Sequence, residues 1–419
     1  MACYGLFVGP SSLLTGDDMK ALYFDNNMIK IALMQIASKF NKKAAFTAIS
    51  PLRYADIPEP EIPNSRWLKV RNIACGLCGS DIHFMFMEMD PKVFPAATPG
   101  IDRKFLGHEL VGEVVETGKD VKNVKSGDRV CLKIDWPSCY QMEIDPLCPQ
   151  CQKGSYMLCQ NLGAEKLPMI DVGGGFSPYM VMHRSQPFIV PEELTNDEAL
   201  LLEPLACAVH GVGRRIPNKG ERVLVLGCGT IGLLTIAVTK AIQPEAKITA
   251  LARYPFQAEL ARKFGAEDTI VNEKNVYQKI SSLTGAKYFE GFFGNKILIG
   301  GFDVIYDSIG NDSSINDSLR WTRSGGTVVI IGVNFKPGRI DYTPIWHQEI
   351  FVTGTNCHAT EENGRTSFDM AANFLLEKKI SLDGIITHKF PMDDYQDAVN
   401  MFLSKRKHAA VKIVLTHSD

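Results

Sequence analysis

The sequence predicts a two-part α/β protein, an irregular β-rich domain followed by a doubly wound parallel sheet. Three observations carry that expectation. The chain has 419 residues, more than a single core usually supports, so two domains are expected. From about residue 20 to 200, short β-like runs are punctuated by Gly and Pro: WLKVRNIAC, ELVGEVVETG, DRVCLKI, YMVMH and PFIVP. From about 203 to 345, strand and helix patterns alternate as ERVLVLG, GLLTIAVTKAI, KITALA and FQAELARKFGA, and strands return in FDVIYDSIG and GGTVVIIGV. That order builds a parallel sheet covered on both faces.

Taken from the N-terminus, residues 1–18 (MACYGLFVGPSSLLTGDD) are Gly-, Ser- and Pro-spotted and lack periodicity. They are either a mobile tail or lie upstream of a start at Met19, where a strand-like pattern begins. Ser281 to Gly301 reads as an insertion within the parallel part. Beyond 345, FVTGTNC reads as a strand, SFDMAANFLLEKK and YQDAVNMFLSK as amphipathic helices, and AVKIVL as a closing strand.

Composition excludes several function classes. A formal net charge of −2 with scattered Lys and Arg leaves no electrostatic footprint for nucleic acid. The longest apolar run, Val223 to Val238, is shorter than the roughly 20 residues of a membrane span and is broken by three glycines. Eleven cysteines in so long a chain do not form a disulfide scaffold. With no secretory pattern at the N-terminus, a reducing cytoplasm is the expected setting.

The first chemical motif is Gly227-Cys228-Gly229-Thr230-Ile231-Gly232, entered from the strand Val223-Leu224-Val225-Leu226 and followed by a helical pattern. In that context Gly227 permits the turn, Gly229 admits a pyrophosphate to the backbone, and Gly232 lets the helix pack on the strand. Thr230 and Ile231 open the helix, and Gly310, closing FDVIYDSIG, joins the candidate cofactor contacts. An acidic residue ending the second strand would bond the adenine ribose 2′-OH, but Ala252 stands there, followed by Arg253 and Tyr254. With no carboxylate to repel a 2′-phosphate and an Arg to grip it, NADP is expected over NAD, with Tyr254 stacking on adenine.

The second motif is C-x2-C-x7-C at Cys148, Cys151 and Cys159, a spacing suited to a structural zinc. Its fourth ligand is Cys139 or Asp145, with Cys139 favoured because thiolates predominate in closed sites. A further stretch, CGLCGSDIH from Cys75 to His83, is readable as a redox dithiol, as half of a zinc knuckle, or as one significant cysteine, Cys78. Downstream, Gly107-His108-Glu109 and Glu203-Pro204-Leu205 supply an imidazole and two carboxylates, the mixed donors a catalytic zinc takes while keeping one position open.

In this order, Cys78-Gly-Ser-Asp-Ile-His83, Gly107-His108-Glu109, the cysteine lobe, Glu203-Pro-Leu and the glycine motif resemble the zinc-containing medium-chain dehydrogenase/reductase superfamily, nearest its polyol, sorbitol and threonine dehydrogenase branch. The resemblance covers nearly the whole chain from Met19. It implies a GroES-like catalytic domain over 19–202, a Rossmann coenzyme domain over 203–345, a return to the catalytic domain over 346–419, and an active site in the cleft between them. It also implies a catalytic zinc on Cys78, His108 and Glu203, with Glu109 able to enter or leave the shell, besides the structural zinc. Asp81 then orients His108, Ser80 and His83 relay the proton, and Cys75 has no ligand role.

The implied reaction moves hydride between a secondary alcohol or polyol, or its ketone or aldehyde, and NAD(P). A homodimer or homotetramer fits the resemblance. Two departures stand out: the family's lobe usually reads C-x2-C-x2-C-x7-C, and Lys30 to Ser50 is longer than the usual first hairpin. Phe84, Phe86, Met87 and Trp346 are the expected pocket walls. Cys207, His210, His347 and His358 are assigned structural roles. The competing reading, a zinc-free NADP-binding sensor or structural protein, requires Cys78, Ser80, His108, Glu109 and Glu203 to be present together without purpose.

Overall fold

The computed structural model describes residues 18–418 except 39, 89, 91–102, 135–136, 163–170 and 272. The expectation for the N-terminal tail therefore lies outside the described residues. Six strands form a sheet in the order Asp268–Val271, Lys247–Ala252, Arg222–Leu226, Phe302–Asp307, Thr322–Ile330 and Phe351–Gly354. Every pairing is parallel. The strand Arg222–Leu226 starts the sheet and sits at its centre, with Val223, Leu224 and Val225 fully buried, as a parallel strand covered on both faces requires. Strand order reverses on either side of it, which opens a crevice at the carboxyl ends of Arg222–Leu226 and Phe302–Asp307.

The sixth strand corrects one expected boundary. Phe351–Gly354 pairs with Thr322–Ile330, so the parallel sheet runs past residue 345. The period of a short segment marks it as a strand, but pairing partners are set by contacts distant in sequence.

The second sheet has the order Ile386–Pro391, Lys412–Thr416, Trp67–Gly76, Glu109–Thr117, Arg129–Leu132 and Pro187–Ile189, with Tyr179–His183 also paired to Trp67–Gly76. Its closing strand Lys412–Thr416 runs antiparallel to Trp67–Gly76, so the C-terminal tail returns to the β-rich part. A three-stranded sheet of Leu52–Pro58, Asp18–Asp25 and Arg103–Phe105 lies beside it.

Two segments without an assigned role take definite structure. Within 28–50, Asn27 caps a helix Met28–Ala37 by accepting the Lys30 N–H at 3.1 Å, and a tight turn Lys42–Phe46 follows. Ile31, Met34, Ala44 and Ala45 are buried in the same core as Phe84, Met85 and Phe86. The insertion within 281–301 holds a hairpin, Lys287–Glu290 against Lys296–Ile299, with Phe292 and Phe293 exposed at its tip. No helix among the described residues is long and apolar enough to cross a membrane.

Candidate active site and metal centres

The strand Trp67–Gly76 delivers the chain to Cys78, which caps the short helix Gly79–Met85. The Cys78 N–H donates to Asp81 Oδ2 at 3.0 Å, and the Gly107 N–H donates to Asp81 Oδ1 at 3.3 Å. That same Oδ1 lies 3.8 Å from His108 Nδ1, so one buried carboxylate ties the Cys78 turn to the Gly107-His108 loop. The strand Glu109–Thr117 begins there. Cys78 Sγ, a His108 ring nitrogen and a Glu109 oxygen lie within 4.8 Å of one another. Glu203, in the first turn of the helix Leu202–Gly213, lines the same cleft but falls outside that trio. Its Oε1 accepts a bond from Cys207 Sγ at 3.3 Å. Of the two carboxylates, the structure thus brings Glu109 closest to Cys78 and His108, because it is next in chain to His108.

One residue that the sequence reading passed over completes the cluster. Lys412, in the closing strand, pairs with Glu109 Oε2 and reaches the Leu77 carbonyl at 3.4 Å. The available signal was a lone Lys inside the apolar run AVKIVL. Burial pushes the Glu203 carboxyl up to about 7, with His108 acting against the shift. It raises Asp81 as well. Burial pulls His108 down, but the Cys78 sulfur, Asp81 and Glu203 outweigh it and hold the imidazole well above its usual range. Burial also works against the charge on Lys412, and Glu109 more than offsets it. Three acids and a thiol thus face one imidazole and one ammonium. That mixed sulfur, nitrogen and oxygen set fits a divalent, borderline-soft cation such as zinc.

Ser80 and His83 follow on the helix Gly79–Met85 and line the cleft. His83 Nδ1 lies 3.2 Å from Glu88 Oε2, and Lys42 Nζ donates to Glu88 Oε1 at 3.1 Å. The bond from His83, supported by Lys42 against the cost of burial, brings Glu88 down to about 2. An ionised carboxylate only accepts, which assigns the proton to His83 Nδ1 and leaves Nε2 as the acceptor. The longer N-terminal segment thereby gains a role: its Lys42 fixes the residue that fixes His83.

The cleft encloses about 490 Å3 and is walled by Phe84, Phe105, Leu132, Met157 and Phe335. Of the expected walls only Phe84 holds its place. Phe86 and Met87 follow the end of the helix and turn into the core, and Trp346 is exposed elsewhere on the surface. Cys207 and His358, assigned structural roles, also line the cleft. His210 instead pairs with Glu361 at 3.0 Å. Cys75 is fully buried and a Cβ on Gly175 would meet its sulfur at 2.4 Å, so it acts as packing and no dithiol is formed with Cys78.

The four thiols Cys139, Cys148, Cys151 and Cys159 cluster within 4.8 Å. Cys139 Sγ lies 3.7 Å and Cys148 Sγ 4.0 Å from Cys159 Sγ. A tetrahedral zinc with bonds of about 2.3 Å would separate its sulfurs by about 3.8 Å. Backbone N–H groups of Cys151 and Gln160 point at Cys148 Sγ, each at 3.4 Å. Against burial, these bonds bring the Cys148 thiol down to about 6. Asp145 is exposed and outside the cluster, so Cys139 occupies the fourth corner.

At the crevice, Gly227 adopts φ +93°, and a Cβ on Gly232 would stand 1.7 Å from the Gly227 carbonyl oxygen. The helix Thr230–Ile242 can therefore approach the turn only with glycine there. Gly229 faces open space and gives the helix no side-chain cap, leaving its first N–H groups available to phosphate. Ile231 and Ser308 line the cleft, and among the described residues the buried Ser308 hydroxyl has no bonding partner. Gly310 packs on Gly332 and donates to Asp307 Oδ1 at 3.0 Å. These features fit a dinucleotide. Beyond the second strand, the Arg253 guanidinium lies 5.4 Å from the centre of the Tyr254 ring, which stacks on Phe256 at 5.6 Å.

A crevice at a sheet reversal, beside a thiol, imidazole and carboxylate cluster, defines a zinc-dependent dehydrogenase of the medium-chain class. Comparison with known proteins agrees. The alcohol dehydrogenase GroES-like domain family matches residues 64–192, and the zinc-binding dehydrogenase family matches residues 230–377. L-threonine 3-dehydrogenase of Escherichia fergusonii is 30% identical over 368 residues, covering 86% of this chain and 95% of its own. D-arabinitol dehydrogenase 1 of Uromyces fabae is 29% identical over 336 residues, 79% of this chain and 85% of its own. The crystal structure of 2R,3R-butanediol dehydrogenase from Bacillus subtilis superposes with a TM-score of 0.70 at 26% identity, covering 95% of this chain and 99% of that one. The chain belongs to the zinc-containing alcohol dehydrogenase family and is an NAD(P)-dependent oxidoreductase.

Proposed function

We propose that the protein interconverts a secondary alcohol of a small polyol or amino alcohol and its ketone, using NADP in preference to NAD. Cys78, His108 and Glu109 would hold a catalytic zinc, with Glu203 across the cleft as a further donor, and the four clustered cysteines would hold a structural zinc. The observation that carries the reading is the gathering of Cys78, His108 and Glu109 in one cleft with Ser80, His83 and the residues beside the glycine turn. When bound, zinc supplies polarisation of the substrate oxygen and the nicotinamide supplies hydride exchange.

The chain's own residues do the rest. Ser80 and His83, three positions apart on one helix, share a face and carry the hydroxyl proton from Ser80 Oγ towards His83 Nε2. Glu88 holds the ring by Nδ1 and stabilises the imidazolium that results. Asp81 orients His108, and Lys412 pairs with Glu109 and holds that carboxylate in place inside a buried cluster. The apolar wall of Phe84, Phe105, Leu132 and Phe335 excludes water from the reacting carbon.

The threonine and arabinitol dehydrogenases among the relatives support screening amino alcohols and polyols. The test is coenzyme reduction by the zinc-loaded chain with a panel of both, under NADP and under NAD. Turnover of at least one such alcohol, abolished in Cys78→Ala, is expected. No coenzyme reduction with any member of the panel would remove the proposal.

A further inference from the structure

A short basic turn from the C-terminal tail meets the coenzyme domain at a place the glycine motif does not explain. The cavity beyond the second strand is lined by Arg253, Tyr254, Pro255, Phe256 and Arg406, with no carboxylate among them. Arg253 directly follows that strand, Lys247–Ala252. Arg406 comes from the turn Lys405–His408, which leads into the closing strand of the other sheet. Among the described residues, neither guanidinium has an ion-pair partner. Two like charges facing one cavity repel each other until an anion stands between them.

From this juxtaposition we infer that Arg406 is a specificity-determining residue, which closes on the 2′-phosphate of the coenzyme from the side opposite Arg253. The inference rests on the NADP preference proposed above and adds a reader to it from outside the coenzyme domain. A phosphate monoester carries about −1.5 to −2 charges at neutral pH, enough to engage two guanidinium groups. Each Arg presents a planar fork that bonds phosphate oxygens in pairs. An adenosine with a free 2′-OH offers Arg406 no anion.

The turn is also held in place. Ala409 follows it at φ 51°, a left-handed conformation that alanine adopts only where the surroundings impose it. Three residues later Lys412 anchors the strand by pairing with the buried Glu109. Arg406 is thus presented from a fixed segment, and phosphate bound between it and Arg253 would tie the tail to the parallel sheet.

The experiment is calorimetric titration of the zinc-loaded full chain with 2′,5′-ADP and with 5′-AMP. It uses wild type, Arg253→Gln, Arg406→Gln, Arg406→Lys and, as a charge control on the same turn, Lys407→Gln. Wild type is expected to prefer 2′,5′-ADP. Arg406→Gln should weaken that ligand about tenfold or more while leaving 5′-AMP unchanged, as loss of a charge-assisted bond implies. Arg406→Lys should recover part of the loss, and Lys407→Gln should bind as wild type. If wild type prefers 2′,5′-ADP but Arg406→Gln binds it equally well, this inference fails and the NADP reading survives. Equal weakening of both ligands, or an equal loss in Lys407→Gln, reduces Arg406 to a general charge and overturns the inference too. If wild type binds the two ligands alike, the NADP reading falls and the inference with it.

Discussion

Replacing Lys412 with Met tests whether the acidic cluster is built around a buried ion pair. The side chains of Lys412 and Glu109 are 3% and 2% exposed, so both charges are largely withdrawn from solvent. Methionine keeps the length and apolar stem but strands the Glu109 carboxylate in the core. Breaking a buried pair on one side costs about 3–5 kcal/mol, whereas replacing both partners is often near neutral. Lys412→Met is therefore expected to lose about 3–5 kcal/mol in the metal-free chain, and Glu109→Gln/Lys412→Met to regain most of it. Bound zinc offers Glu109 a second positive neighbour, so loading should shrink the loss in the single variant. Guanidinium unfolding followed by tryptophan fluorescence reads this directly, because the buried Trp67 lies in the strand that pairs with the Lys412 strand. A single variant within about 0.5 kcal/mol of wild type, the range of a surface substitution, would refute the reasoning. So would a double variant no more stable than the single one.

Three further outcomes are expected. Glu88 has its carboxyl down at about 2 from an ordinary 4.5, so its stabilisation is present in full above pH 4.5 and is lost as pH falls through 2. Glu88→Gln should cost about 1–2 kcal/mol at pH 7, with wild type and variant converging near pH 2 in urea unfolding; a gap that persists there would count against the pairing with His83. Gly232→Ala places a methyl 1.7 Å from the Gly227 carbonyl oxygen, so NADPH affinity by fluorescence titration should drop at least about tenfold; unchanged binding would mean that the turn is not the phosphate cradle. Ser80→Ala should lower kcat by about 10²–10⁴ with coenzyme affinity unchanged, as removal of a proton relay predicts, and a wild-type kcat would exclude Ser80 from the relay.

What could be read from sequence was what is local in sequence. The glycine turn after Val223–Leu226 and the spacing of Cys148, Cys151 and Cys159 are contiguous, and each appeared in the structure with the geometry its spacing implies. The strand at 351–354 was legible as a strand, but its membership of the parallel sheet depends on pairing with Thr322–Ile330. The resemblance ranked Glu203 as the ligand beside Cys78 and His108 and Glu109 as the neighbour, whereas the structure gathers Glu109 with them, because these distances depend on how a strand and a helix from different parts of the chain converge. Phe86 and Met87 were read as pocket walls for their apolar character, yet the helix ends just before them and turns both into the core.

Lys42, Glu88 and Lys412 belong to no motif. Each is an ordinary charged residue whose place at the site comes from contacts between separate segments. Lys412 alone left a trace, since a solitary Lys within AVKIVL must either reach solvent or find a buried partner. The joint presence of Cys78, Ser80, His108, Glu109 and Glu203 was legible as a set, and the cleft holds all five.

The most direct test of the central claim is zinc content by elemental analysis of wild type, Cys78→Ala and Cys148→Ala. The account expects two zinc ions per chain, one for each cluster, with a different one lost in each variant. Zinc that disappears only with Cys148, leaving Cys78→Ala with the wild-type content, would contradict it, because the cleft would then hold no metal to polarise an alcohol.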